Sequence, residues 1–259
     1  MLEGLAGAGI ILAGSMLLLL RRRRRAQFRA RRPGRTIAVP QPVLAPVEKT
    51  LTASGSRSAP TVELVDVLLR RLASRQSAVR QDMPNVAAVE LITGGIVLHL
   101  SQAHELPTPW RGSEDGMRWS CPTAVDIDEI GPHEPDQPAP YPLLVTIGAS
   151  DDDDAWLLNC EDLAVITITG DPTYGQDFAR YLAAELACNP WSREVRVDCV
   201  SIAAEIAPMN SQRVRYHDGG PDLAAEVLTD AVATIDRVAA VGRDVTTARA
   251  AQLGDDTWP

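Results

Sequence analysis

Aromatic residues are scarce in this chain: 2 Phe, 4 Tyr and 5 Trp among 259 residues. Core packing must therefore rest on Leu, Val, Ile and Ala, with Trp110, Trp119, Trp156 and Trp191 left to join elements. Cysteine is nearly as rare. Cys121, Cys160, Cys188 and Cys199 contain no C-x-x-C pair, which argues against a disulfide framework or a zinc site and suits reduced, buried thiols. His99, His104, His133 and His217 share no metal-ligand spacing, so neither a metal nor a cofactor is expected.

Acid is missing from one region alone. Between Arg21 and Arg35 stand nine arginines and no Asp or Glu, and Glu3 is the one acid before them. The rest of the chain holds 16 basic and 33 acidic residues, so a net charge of −9 conceals a body near −17 behind a basic collar. An acidic body of that kind repels a phosphate backbone, and nucleic-acid binding through this chain is not expected.

Gly4–Leu20 is an uncharged, apolar run ending at Arg21, Arg22, Arg23, Arg24 and Arg25. Its 17 residues reach about 25 Å as a helix, slightly less than a hydrocarbon core. The charges follow the run instead of preceding it, which excludes a secretory signal peptide. The positive-inside rule then predicts a single-pass transmembrane anchor over 1–20, with the N-terminus outside and the body cytoplasmic. The five arginines become lipid-headgroup and topology residues, with the bilayer as a partner. Gly4, Gly7, Gly9 and Gly14 offer small faces for helix packing.

Residues 21–60 read as a juxtamembrane segment and a linker rich in Pro, Ser, Thr and Ala. Val62, Val65, Leu68, Leu69 and Leu72 recur at helical spacing. Val86–Ile92 and Ile96–Leu100 flank a Gly94-Gly95 turn as a hairpin, and Gly116–Cys121 adds a strand, giving a small α+β unit over 61–130. A proline-rich break over 131–142 precedes a second unit, 140–259. There Leu143–Ile147, the aspartates 151–154, Ala155–Asn159, Val165–Thr169, Glu194–Val200 and Val214–His217 alternate with helices. The aspartates lack the spaced ligands, Gly and distal Glu of a calcium loop and read as a solvated hairpin tip. Pro221 opens a long helix with Leu223, Val227, Leu228, Ala231, Ile235 and Val238 as its apolar stripe. This alternation predicts an α/β fold with a three-layer core.

Val165–Thr169 leads into Gly170-Asp-Pro-Thr-Tyr-Gly175-Gln176-Asp177, the strand, glycine loop and helix order of a P-loop. The motif's Lys and Ser/Thr are replaced by Gln176 and Asp177. Losing an ammonium and adding a carboxylate, each worth about 4 kcal/mol at 4 Å and a dielectric near 20, cancels most of a micromolar affinity. No later strand supplies a Walker B acid. Gly170, Gly175, Gln176 and Asp177 thus mark a degenerate phosphate loop, and no catalytic residue is assigned.

The succession PLLVTIG, acidic turn, AWLLNCEDLAVITITG, helix, NPWSREVRVDCV, SIAAEIAPM and VRYHD resembles the core of DNA-translocase and type VII secretion ATPases. The Leu17–Arg25 junction, PGRTIAVP, YPLLVTIG, TGDP and NPW more closely resemble the membrane-proximal cytoplasmic region of actinobacterial membrane proteins that carry LysM repeats and a bacterial transcriptional activator domain. The chain stops at DDTWP, where that family continues into its next strand, so a truncated or reduced form is expected. The expectation is a membrane-anchored, non-catalytic interaction or signalling module with protein partners. The alternatives are a divergent NTPase or translocase-type subunit, and a fragment of a membrane-bound transcriptional regulator.

Overall fold

The computed structural model describes residues 3–32, 41–163 and 165–252. The PGRTIAVP stretch, 33–40, and the terminal DDTWP lie outside them. In chain order the elements are α1 (Glu3–Ala30), α2 (Ala45–Val79), β1 (Val86–Ile92), β2 (Gly95–Leu100), β3 (Arg111–Gly112), β4 (Arg118–Pro122), α3 (Ile127–Ile130), β5 (Leu144–Ala149), β6 (Ala155–Asn159), α4 (Pro172–Cys188), β7 (Val197–Val200), β8 (Val214–His217), α5 (Pro221–Val241) and α6 (Val245–Ala250).

Six strands form one antiparallel sheet in the order β3-β4-β2-β1-β6-β5. Gly94, at φ +79°, makes the β1–β2 turn, where a side chain would be strained. The aspartates 151–154 cap the β5–β6 hairpin, and β6 pairs with β1. The sheet therefore runs on across the proline-rich break. Val62, Val65, Leu68, Leu69 and Leu72 of α2 are buried against Val86, Val89, Ile96 and Leu98 of the sheet.

The three-layer parallel core expected from the sequence is not formed. Among the described residues the single parallel pairing is β7 with β8, a two-stranded sheet. Val165–Thr169 forms no strand, and Val165 is 81% exposed. A β-branched run reports a fit to a half-buried pleated surface, and it stays unpaired where no strand edge or covering layer meets it.

The apolar N-terminal run also has a different place. No helix among the described residues is long and apolar enough to cross a membrane. The transmembrane, single-pass and outside-in assignments fall together. The run lacks a polar face because α1 lies between two cores. Ile11 and Leu18 join the core of α2 and the sheet, while Leu12, Met16 and Leu19 pack on the core of α4, β7 and β8. The arginines do not have to follow it inside, because residues 20–32 are exposed at the surface of the body.

Small residues set the crossing of α1 and α2. A Cβ on Gly55 would stand 2.5 Å from the Ala13 carbonyl oxygen, and one on Gly14 would stand 2.6 Å from Ser58 Oγ. Ser58 donates to the Ile10 carbonyl at 2.6 Å. This contact also accounts for the expected linker: its residues from Ala45 onward are helical, and α2 continues through Pro60. An interior proline costs about 3 kcal/mol, here offset by buried Ser58, Ala59 and Val62 on either side of it.

Candidate functional site

The glycine loop does not form a phosphate cradle. Gly170, at φ +111°, is a bend, and the helix after it is capped by its own sequence. Asp171 accepts from the backbone N–H groups of Thr173, at 2.8 Å, and Tyr174, at 3.2 Å. A carboxylate thus already holds the donors and the positive dipole end that a phosphate would use. Gly175 sits inside the first turn of α4, its N–H donating to the Asp171 carbonyl at 2.9 Å. Gln176 is exposed, and Asp177 accepts from Arg180 at 3.0 Å in a surface pair.

The collar meets acids at its base. Arg24 pairs with Glu48, and Arg23 donates to the Met209 carbonyl. The topology role given to Arg21, Arg22, Arg23, Arg24 and Arg25 rested on a membrane span and loses its basis with it.

A cleft of about 470 Å³ lies between α2, the proline-rich segment and α6. Two of its polar side chains are tied to the wall: Ser74 bonds Gln137 at 3.2 Å, and Gln137 donates to the Ala250 carbonyl at 2.8 Å. It presents no nucleophile paired with a base. Among the described residues no group of three His, Cys, Asp or Glu side chains converges as a metal site. The cysteines are poor nucleophiles, since burial pushes Cys121 and Cys160 up to about 11 and Cys188 up to about 12. Glu185 is buried between α4 and β5, where it accepts from the Thr146 N–H at 2.9 Å and from Thr146 Oγ1 at 2.7 Å. Desolvation raises its pKa, and its hydrogen bonds to Thr146 tie α4 to the sheet edge.

The unusual geometry is at α5. A surface helix normally turns its apolar stripe inward. α5 instead leaves part of its apolar surface outward, with Leu223 and Val238 half-buried. Its Glu226 and Asp230 face β7 and β8, where Arg196 approaches Glu226 at 3.2 Å and Asp230 at 3.0 Å, and Arg215 approaches Glu226 at 3.2 Å. Asp198 on β7 centres the network, accepting from Arg196, Arg215 and His217 Nε2 at 2.9, 2.7 and 2.9 Å. Burial alone would raise the Asp198 carboxyl, but these bonds and charges outweigh it and hold the group down to about 2.

The opposite face of α5 stands in water. Leu228 and Ile235 are each 66% exposed and Val232 is 50%, while Val227, on the flank, is 45%. Ala224, Ala231 and Ala239 are exposed beside them. At 100° per residue, positions 224, 228, 231, 232, 235 and 239 share one face, about half a turn from 226 and 230. Of the stripe expected from the sequence, Leu228, Ala231 and Ile235 lie on this outward face, whereas Leu223 and Val238 are half-buried toward the side of Asp230. The acids that hold the helix carried no signal without Arg196 and Arg215 placed opposite them. Both ends of α5 are tethered. Gly220 leads in from β8, and α6 returns to the body, where Thr247 Oγ1 accepts from the Met83 N–H at 3.0 Å and Arg249 pairs with Glu161.

No known protein family, curated protein or solved structure matches the chain.

Proposed function

We propose that the chain is a non-catalytic interaction module whose docking element is the outward face of α5. One observation carries the reading: the helix is held to the body by ion pairs on its polar face and leaves its apolar stripe open. Burying a Leu, Ile or Val side chain stabilises by about 1.5–3 kcal/mol, so Leu228, Val232 and Ile235 hold free energy that folding does not use and association can. The reading has further support from the cleft without a nucleophile and the raised thiol pKa values. An NTPase reading has Asp171 against it, seated on the donors a nucleotide phosphate would need.

The test separates a docking face from a hidden core. Substituting Leu228→Glu and Ile235→Glu together leaves helix content and the urea midpoint unchanged if the face is free, because substitutions at exposed sites stay within about 0.5 kcal/mol. Loss of cooperative unfolding in that variant overturns the proposal.

A further inference from the structure

We infer that the exposed face of α5 pairs with the same face of a second copy of this chain, antiparallel, about a two-fold axis between Ala231 and Val232. The inference rests on the reading of α5 as a docking surface and names its occupant.

The outward stripe reads alike in both directions. Reversal about the midpoint of 231 and 232 exchanges 224 with 239, 228 with 235 and 231 with 232. The exchanged residues match in kind: Ala224 with Ala239, Leu228 with Ile235, Ala231 with Val232. A two-fold contact requires this property, since residue i of one copy must meet j of the other while j meets i. A different partner imposes no such symmetry. The two large residues of one copy fall on those of the other, and the alanines at the ends and centre allow helix axes to approach to about 8 Å.

The charges permit the pairing. Glu226 and Asp230, which would repel across the axis, are turned away and paired with Arg196 and Arg215. Asp236, at the margin of the stripe, comes opposite Val227 of the other copy instead of another acid. The stripe spans 15 steps of about 1.5 Å, a contact about 22 Å long. That is small for a permanent dimer and suits a reversible one with a Kd of roughly 1–100 µM.

The test is sedimentation of the full chain from about 1 to 200 µM, with a monomer-to-dimer shift expected across that range. The Leu228→Glu, Ile235→Glu variant is expected to stay monomeric throughout, with unchanged helix content. For orientation, Leu228→Cys and Ile235→Cys chains are mixed in equal amounts and oxidised. The mixed disulfide is expected, and neither variant alone crosslinks. Wild type that stays monomeric at the highest concentration overturns the self-pairing but leaves the docking face standing, provided the double variant is folded. An unfolded double variant overturns the docking reading itself. A folded double variant that still dimerises, or homodimeric crosslinking of Leu228→Cys alone, overturns the antiparallel pairing.

Discussion

Arg215 stands opposite Asp198 in the register of β7 and β8 and donates two hydrogen bonds to it, at 2.7 and 3.2 Å. Asp198 is thereby the carboxylate on which Arg196, Arg215 and His217 converge, and two of these three reach on to α5. Its folded-state pKa, about 2, lies below its unfolded value of 3.8. The stability it contributes is therefore present above pH ~4 and lost as pH falls through ~2. We predict that amide exchange in 221–241 accelerates over that window before exchange in α2 does. Asp198→Asn should reproduce the acceleration at neutral pH, at a cost of about 1.5–3 kcal/mol, the range for hydrogen bonds to a charged group. Hydrogen exchange read by mass spectrometry checks both. Equal protection of α5 in Asp198→Asn and wild type would remove Asp198 from the tether.

The α1–α2 crossing gives a second prediction. A side chain at Gly55 meets the Ala13 carbonyl and Leu17 Cβ, at 2.5 and 2.9 Å, so Gly55→Val forces the helices apart. Overpacking of this kind costs about 1–3 kcal/mol. A Cβ at Gly9, in the same apolar run, has nothing within 4 Å. Gly9→Ala should therefore be neutral or stabilise by up to about 1 kcal/mol through helix propensity. Urea unfolding of the two variants tells a docked α1 from a detached one, for which they would behave alike.

These two contacts also show where the sequence was readable. The β1–β2 hairpin, the acidic β5–β6 tip and the helix opened by Pro221 follow from turn residues and periodicity, which act over a few residues. The location of α1 does not. An apolar run followed by arginines satisfies a bilayer and a slot between two cores equally well, and the difference lies in Ala13 and Gly14 meeting Gly55 and Ser58, more than 40 residues further along the chain. Val165–Thr169 failed for a related reason, because strand-like composition needs a free edge that only tertiary structure supplies. The apolar residues of α5 were visible, but which of them face outward was not. That depends on Arg196 and Arg215 lying opposite Glu226 and Asp230.

The glycine loop yields the last prediction, because its two glycines play different parts. Gly170 has φ +111°, a conformation that L side chains rarely adopt, and no neighbour lies within 4 Å of its would-be Cβ. Gly170→Ala therefore costs backbone strain alone, about 1–2 kcal/mol. Gly175 is helical, and its would-be Cβ meets only Ile168 Cγ2, at 3.3 Å. Ile168 is itself 39% exposed and has room to give way. Gly175→Ala should then be neutral or slightly stabilising. A phosphate cradle would respond differently, with both substitutions closing a site and bound nucleotide raising the melting temperature. A ligand at 100 times its Kd stabilises by about 2.7 kcal/mol. We expect about 1 mM Mg-ATP to leave the melting temperature of wild type and of both variants unmoved, as Asp171 already occupies the donors at the start of α4. A nucleotide-dependent shift in wild type that disappears in Gly175→Ala would restore the loop as a binding site.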